Sequence, residues 1–239
     1  ACIEALVGNQ LTNGWGMTET APAGSRVPAG VEKRPGLIGV PLPGLEMRIV
    51  SLDDPTVAMA TGETGEIAIR GPNVFAGYLD DPAGTKAAFH DDWFLTGDIG
   101  RMDERGLFDI VDRRKNIVRR SGENIAAAEV EAVLLTHPWV AQAAVLALPD
   151  ELREEEVLAC VVLRDGAAPQ GRSEATARTL FDHCRAQLAY FKAPGWLWFA
   201  DAIPTTGTQK IQKHSLFPPG SDPRTLPGMV DLRALKKRR

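Results

Sequence analysis

The stretch NGWGMTET, residues 13–20, combines side chains that could hold an anionic ligand bearing a flat ring. The glycines on either side of Trp15 allow backbone to approach a ligand closely, and the indole offers a face for stacking. The threonine hydroxyls can donate hydrogen bonds to anionic oxygens, and the Glu19 carboxylate can hold a hard cation such as Mg²⁺. Taken alone, the stretch also fits a tight turn with a half-buried tryptophan.

A second group of candidate residues lies in WFLTGDIGRMDERGLFDIVDRRKNIVRRSGENI, residues 93–125. Asp98, on a glycine turn, could accept hydrogen bonds from two vicinal sugar hydroxyls. The run DRRKN sets cations beside Asp112, which suits a phosphate-rich ligand or a charged hinge. SGEN is a flexible turn ahead of a helix. An ordinary turn aspartate and a solvated charged face are the alternatives.

The third candidate is the polar loop in IPTTGTQKIQKH, residues 203–214, which carries Lys210. A lysine on such a loop can be delivered to a negatively charged transition state and withdrawn again. The spacing differs from that of a Walker A phosphate loop. The alternative is a solvent-facing lysine on the surface.

The elements that must position these residues change character along the chain. Residues 36–112 contain short alternating runs, LEMRIV and GEIAIR among them, between turn compositions, which predicts a small, mostly antiparallel β-structure. Beyond them, helical spacing in NIAAAEVEAVLLTHP and at about residues 174–188 alternates with apolar strands. This pattern predicts a compact α+β domain, with a boundary near residues 112–115.

Composition excludes several classes of protein. The net charge of -4 gives no reason to expect a nucleic-acid partner. The cysteines, Cys2, Cys160 and Cys184, are odd in number and scattered, which argues against a disulfide framework or a zinc site and favours a reducing cytoplasm. No apolar run reaches the length of a membrane span. The sequence does not begin with Met, so we expect a processed or truncated piece.

Four segments, in this order, resemble the signatures of the adenylate-forming superfamily of acyl-CoA synthetases, adenylation domains and luciferases. The family has a Y-G-x-T-E loop, a T-G-D, an R-x-[KD]-x-x-I-x-x-x-G-x-x-I stretch and a P-x-T-x-[ST]-G-K loop. This chain has GWGMTET, FLTGD, DRRKNIVRRSGENI and IPTTGTQK. The resemblance, strongest for acyl-CoA synthetases, implies an α+β fold: the β-rich end of the large domain, a small distorted barrel (1–112), a small mobile α+β domain (113–217) and a basic, flexible tail (218–239).

The resemblance also implies a role for each matching residue. Trp15 would lie against adenine, Thr18 would contact the α-phosphate or the carboxylate, and Glu19 would hold Mg²⁺. Asp98 would hold the ribose hydroxyls, and Arg113 would reach ribose or phosphate.

The small domain supplies the other roles that the resemblance implies. Lys115 would be the hinge between two half-reactions, and Gly122 would border the pantetheine channel when the thioester forms. Lys210 would act in the first half-reaction, so the implied catalytic set is Lys210, Thr18 and Glu19. The implied cofactor-binding set also includes Gly14, Gly16, Met17, Ile110 and Glu123.

The chain departs from the family pattern at several points. Trp15 replaces the usual tyrosine, Gln209 stands where a glycine usually precedes the lysine, and Asn116 occupies a position that is often acidic. The Ser/Thr/Gly-rich phosphate loop, T-S-G-T-T-G-x-P-K-G, has no counterpart in the sequence. We therefore expect the C-terminal portion of such an enzyme, inactive or very feeble without the missing N-terminal portion of the same enzyme.

The function implied by the resemblance is that of a cytoplasmic carboxylic acid–CoA ligase, which makes an acyl-adenylate from ATP and then a thioester. Its substrates and cofactors would be a small-molecule carboxylic acid, ATP, Mg²⁺ and coenzyme A. One alternative is an adenylation domain that loads a carrier protein in trans, although no G-G-x-S-like carrier site is present. Another is a non-catalytic nucleotide-binding or interaction fragment. Only residues 7–15 could contribute to acid specificity, so the acid is not identified.

Overall fold

A computed structural model of the chain describes residues 13–207, 211–218 and 220–236. The chain divides into two compact units, Ala1–Lys115 and Asn116–Arg239, here called unit 1 and unit 2. The division falls directly after Lys115, the residue that the resemblance assigns to the hinge. Lys210, Gln209 and Cys2 lie outside the described residues.

Unit 1 is built from antiparallel strands. They are β1 (Gly14–Trp15), β2 (Ser25–Arg26), β3 (Leu37–Pro41), β4 (Glu46–Val50), β5 (Gly65–Arg70), β6 (Phe89–His90), β7 (Trp93–Met102) and β8 (Phe108–Arg113). These described strands form one sheet in the order β1-β2-β3-β8-β7-β5-β4, and β6 pairs with β7. The antiparallel β-structure predicted from the turn spacing is confirmed. The described strands follow one path from β1 at one edge to β4 at the other.

The centre of this sheet is strand β5, which lies between β4 and β7. Its Ile67 and Ile69 pack with Phe94 on one face, and its Ala68 packs with Trp93 on the other. Burial on both faces explains why GEIAIR lacks an exposed polar side except at its end. Helix α1 (Pro82–Ala88) is capped by Asp81, whose carboxylate accepts a hydrogen bond from the Gly84 amide. Short 3₁₀ helices span Thr18–Thr20 and Arg114–Asn116.

Unit 2 combines a mixed sheet with two helices in its described part. The strands are β9 (Ile117–Arg120), β10 (Glu123–Ala126), β11 (Val140–Asp150), β12 (Glu154–Leu163), β13 (Trp196–Phe199) and β14 (Val230–Asp231). They form the order β10-β9-β12-β13-β14, with β11 also paired to β12 and with β12 parallel to β13. The helices are α2 (Ala127–Leu135) and α3 (Glu174–Gln187). Further 3₁₀ helices span Lys213–Ser215, Pro223–Thr225 and Arg233–Leu235.

Both helices predicted from the apolar spacing in this part of the sequence are confirmed. Val130 and Leu134 of α2 are buried, as are Leu180 and Phe181 of α3, and all four belong to one core cluster with the sheet. Cys160 and Cys184 are free thiols and buried. Among the described residues, no helix combines the length and the apolar character needed to cross a bilayer.

The tail expected from residue 218 onward is not loose in its described part. Strand β14 pairs antiparallel with β13, and Leu232 beside it is buried in the core of unit 2. Lys236 is also buried, where its ammonium pairs with the buried carboxylate of Glu156. The Pro/Gly-rich composition suggested a flexible tail, but a strand pairing, an apolar anchor and a buried ion pair hold residues 230–236 in place.

Candidate functional site

The T-G-D segment forms a bulge in strand β7. Pairing between β5 and β7 shifts from Ala68–Leu95 to Glu66–Ile99, so residues 96–98 lie opposite the single residue Ile67. The Thr96 hydroxyl donates to the Ile67 carbonyl at 2.8 Å, and Gly97 has a left-handed φ of 70°. A bulge re-aims the side chain that follows it, which here is Asp98.

Glu66 supports this bulge, a role that no pattern in the sequence predicts. Its Oε1 accepts a hydrogen bond from the Gly97 amide at 2.8 Å, and its Oε2 lies 2.6 Å from Nη1 of Arg114. Only 2% of Glu66 is exposed. A buried carboxylate therefore joins the bulge to the arginine that directly precedes Lys115.

The Asp98 carboxylate is held on both of its oxygens. Nε1 of Trp15 donates to Oδ2 at 2.8 Å, and Nε of Arg113 lies 3.1 Å from Oδ1. Arg113 reaches Asp98 because the two residues are register partners in β7 and β8. The Asp98 side chain is 5% exposed, and Trp15 is also buried. The structure thus brings together three residues to which the resemblance assigns roles at a nucleotide.

A cavity of about 380 Å³ in unit 1 is lined by Gly97, which precedes Asp98, and by Arg113, which pairs with Asp98. Three of its lining residues are cationic, and the side chains of two of them, Arg113 and Arg114, are about half exposed. Positive charge next to a buried carboxylate suits a ligand with both hydroxyl and anionic groups. The lining residues are Thr96, Gly97, Arg113, Arg114 and Lys115.

The T-E-T turn is held by its own side chains and by the loop of residues 73–78. The Thr20 hydroxyl donates to the Met17 carbonyl and accepts from the Met17 amide, each at 3.0 Å, and Thr20 is buried. The Asn73 amide donates to the carbonyls of Thr20 and Ala23 at 2.7 Å. Thr20 therefore shapes the turn, whereas Thr18 is exposed and available to a ligand.

Glu19 is half-buried and anchored from the same neighbouring loop. The Tyr78 hydroxyl donates to Oε1 of Glu19 at 3.1 Å, and the Phe75 amide donates to the Glu19 carbonyl at 2.9 Å. Partial burial and this hydrogen bond raise the pKa of the Tyr78 hydroxyl. Neither Asn73 nor Tyr78 was predicted from the sequence, because they lie 53 and 59 residues along the chain from their partners Thr20 and Glu19.

The carboxylate of Glu19 could hold a magnesium ion only together with other oxygen donors, such as the phosphates of a bound nucleotide. Among the described residues, no group of three or more His, Cys, Asp or Glu side chains could hold a metal ion. Magnesium is usually held by one or two carboxylates together with substrate phosphates and water. A single carboxylate in a phosphate site is therefore an adequate protein contribution.

The remaining predicted residues of unit 1 are Gly14, Gly16, Met17 and Ile110, and each makes contacts within the chain. A Cβ on Gly16 would collide with the Pro22 carbonyl, so this glycine is required by a contact within the chain. Gly14 pairs with Arg26 in the β1–β2 register, and the Ile110 amide donates to the Gly36 carbonyl at 2.8 Å. Met17 is half-buried.

Gly122 and Glu123 lie in unit 2. Ser121 and Gly122 both have left-handed φ values, 51° and 81°, and form the turn that joins β9 to β10. The Ser121 amide donates to the Arg153 carbonyl at 3.0 Å, which ties the turn to the β11–β12 connection. Glu123 is exposed at the start of β10. This turn is thus a defined surface feature of unit 2.

Comparisons with known proteins agree with the sequence signatures. The family model "AMP-binding enzyme" matches residues 2–79, and the model "AMP-binding enzyme C-terminal domain" matches residues 129–210. A probable CoA ligase of Humulus lupulus is 39% identical over 214 residues, which are 89% of this chain and 39% of that protein. A long-chain-fatty-acid–CoA ligase of Escherichia coli is 36% identical over 211 residues, covering 88% of this chain and 36% of the ligase.

Solved structures agree as well. The o-succinylbenzoate CoA synthetase of Bacillus subtilis, in complex with its acyl-adenylate intermediate, has a TM-score of 0.74 and 31% identity. The match covers 90% of this chain and 43% of the synthetase. The same synthetase has been solved with ATP and magnesium ion. This chain therefore spans roughly two fifths of the length of the relatives it matches.

Proposed function

Because this chain belongs to the adenylate-forming superfamily, we propose that its protein is an ATP-dependent, AMP-forming carboxylic acid–CoA ligase. One observation carries the proposal: the buried Asp98 carboxylate is held by Trp15 and by Arg113, and Arg113 itself lines a cationic cavity. A carboxylate next to cations can receive a ribose diol and the phosphate attached to it. The related ligases support the same activity.

The proposed reaction has two half-reactions. The substrate carboxylate attacks the α-phosphorus of ATP, pyrophosphate leaves, and an acyl-adenylate forms. The thiol of coenzyme A then attacks the acyl carbon, and AMP leaves. The first step joins two anions, so positioning and charge neutralisation must supply most of the barrier reduction.

We assign the residues of unit 1 to the nucleotide. Asp98 accepts hydrogen bonds from the ribose hydroxyls, Arg113 donates to ribose or phosphate, and the face of Trp15 contacts adenine. Thr18 donates to the α-phosphate or the substrate carboxylate, which its exposure permits. Glu19 holds Mg²⁺, which neutralises phosphate charge when bound.

We assign the residues near and beyond Lys115 to the exchange between half-reactions. Lys115 is the hinge, which accords with the division of the chain after this residue. Gly122 and Glu123, on the β9–β10 turn, border the path of the pantetheine thiol. Lys210 donates to the transition state of adenylation.

The test is to substitute Lys210 in the intact protein and to measure each half-reaction separately. Loss of one well-placed charge donor costs about 3 kcal/mol of transition-state stabilisation, so Lys210→Ala should slow adenylation by roughly 100-fold. Thioester formation from a supplied acyl-adenylate should be largely spared. Lys192→Ala is the matched control, because Lys192 is a unit 2 lysine already paired with Glu129 at 2.7 Å. Equal loss of both half-reactions in Lys210→Ala would refute the assignment.

The acid and the acceptor need their own measurements. The acids in the relatives' names are as unlike as a long-chain fatty acid and o-succinylbenzoate, so the likeness selects none. An ATP–pyrophosphate exchange screen across carboxylic acids identifies the substrate. Comparing coenzyme A with carrier proteins as acceptors then separates a CoA ligase from an adenylation domain acting in trans.

The activity of the chain by itself is a separate question. Because residues 1–239 contain no counterpart of the phosphate loop, we expect these residues alone to catalyse no measurable adenylation. Calorimetric titration of the chain with ATP tests the non-catalytic alternative, because a dedicated nucleotide-binding module should bind tightly and a partial site weakly or not at all.

A further inference from the structure

The indole N–H of Trp15 makes the only hydrogen bond described for this side chain, and it goes to Asp98. Nε1 of Trp15 lies 2.8 Å from Oδ2 of Asp98, although the two residues are 83 positions apart in the sequence. The two residues are buried, at 9% and 4% exposure, so water competes little for either group. A hydrogen bond to a charged acceptor in such a place is among the stronger ones in a protein.

The ring of Trp15 is itself held in one position. A Cβ on Gly24 would collide with the six-membered part of the indole, so the glycine makes the space that the ring fills. The Gly24 amide donates to the Trp15 carbonyl at 2.8 Å, which fixes the backbone on the same side. Trp15 also belongs to the core cluster that contains Ile69 and Phe94. The N–H therefore points at Asp98 before any ligand arrives.

The orientation of Asp98 matters because a ribose presents two hydroxyls at a fixed spacing. A carboxylate can accept from both only when its plane is turned toward the diol. Arg113 lies 3.1 Å from Oδ1 but is about half exposed, so it restrains the carboxylate less than a buried donor would. The buried indole N–H on Oδ2 is the firmer restraint.

We propose that Trp15 is a positioning residue: its indole N–H orients Asp98 and so sets the preference of the site for ribose over sugars that lack the diol. The inference rests on the proposed function, because it takes the ligand to be an adenine nucleotide. It differs from the assignment of the ring face to adenine, since the N–H edge and the face are separate parts of the same side chain. A substitution that keeps the ring and removes the N–H separates the two roles.

The experiment measures equilibrium binding of AMP and of 2′,3′-dideoxyAMP to the intact protein. Dideoxy-AMP keeps the base and the phosphate but has no hydroxyl for Asp98. Trp15→Phe should lower the ratio of the AMP affinity to the dideoxy-AMP affinity by roughly tenfold, because a charge-assisted hydrogen bond is lost and a change in ring stacking weakens both ligands alike. Asp98→Asn should also lower the ratio of the AMP affinity to the dideoxy-AMP affinity, because it replaces the carboxylate that accepts from the diol. Trp93→Phe is the control, since Trp93 is a buried tryptophan of unit 1 that contacts Arg48 and Arg70 instead.

A second variant covers the case in which the smaller ring of phenylalanine disturbs the core. Trp15→3-benzothienylalanine, introduced by nonsense suppression, keeps the bicyclic shape and replaces only the N–H by sulfur. The same fall in the ratio is expected for it. If the benzothienyl variant binds AMP and dideoxy-AMP with the same ratio of affinities as the wild-type protein, the inference is overturned. The proposed function would still stand in that case. Failure of the wild-type protein to bind AMP would overturn both.

Discussion

Glu66 offers the sharpest test of how the T-G-D bulge is held. Its two oxygens accept from the Gly97 amide at 2.8 Å and from Arg114 at 2.6 Å, and 2% of the residue is exposed. Replacing it with alanine leaves a partly buried amide without an acceptor and Arg114 without its carboxylate. The perturbation therefore acts on the bulge while the strand backbone is unchanged.

The magnitude follows from the burial of each partner. The orphaned Gly97 amide costs about 1–3 kcal/mol. The Arg114 side chain is 47% exposed. It can recover hydration, so the lost ion pair adds only about 1 kcal/mol. Glu66→Ala should thus destabilise the bulge by about 3 kcal/mol in total. Glu66→Gln should cost less, about 1–2 kcal/mol, because its amide keeps one acceptor but turns a donor toward a donor.

Hydrogen–deuterium exchange measured on peptides that cover β7 is the assay, because it reads the bulge locally. A loss of about 3 kcal/mol lowers the protection of the Gly97 amide by roughly 100-fold, and Glu66→Gln lowers it by roughly tenfold. Glu46→Gln is the matched control, since Glu46 pairs with Arg70 at 2.8 Å on the exposed face of the neighbouring strand. Exchange at Gly97 should be the same in this control as in the wild-type protein. Equal protection of Gly97 in Glu66→Ala and in the control would refute the reasoning.

Two further predictions concern unit 2. Burial lowers the pKa of Lys236 from 10.5 to about 8, so between these values the unfolded state binds more protons and stability rises with pH. The unfolding free energy in urea should gain about 3 kcal/mol more across that range in the wild-type protein than in Lys236→Met, and equal gains would contradict this. Burial also raises the pKa of the Cys160 and Cys184 thiols to about 12, so iodoacetamide at pH 8 should modify neither until urea is added, as peptide mass spectrometry would report. Rapid labelling of either thiol in the native protein would show that the burial is wrong.

Local patterns in the sequence predict the elements well where one face decides the structure. Helix α3 (Glu174–Gln187) is capped by Ser173, whose hydroxyl accepts from the Thr176 amide at 3.2 Å, and its apolar spacing continues to Cys184. Such signals lie within a few residues of each other. The short-range part of the fold was accordingly predictable.

The partners of buried polar groups were not predictable in the same way. Glu66 occupies a polar position within an alternating strand, which predicts exposure, yet the Gly97 amide and Arg114 enclose it from 31 and 48 residues away. Lys236 meets Glu156 across 80 residues. The periodicity of apolar residues predicts which residues share a face of a strand or helix. It does not predict which distant segment packs against that face. For this reason the sequence identifies Trp15 and Asp98 as separate candidates but does not predict the contact between them.

The positions of Glu66 and Asp98 on either side of Gly97 have a joint consequence. The Glu66 carboxylate accepts a hydrogen bond from the Gly97 amide in the bulge. The Asp98 carboxylate follows the bulge and is oriented by Trp15 and Arg113. Donors and acceptors fixed before a ligand arrives cost little reorganisation when it binds. A change at Glu66 should therefore reach Asp98 through a single peptide unit, although Glu66 itself need touch no ligand. Binding of AMP relative to dideoxy-AMP should fall in Glu66→Ala as it does in Trp15→Phe, whereas a merely stabilising Glu66 would leave that ratio unchanged.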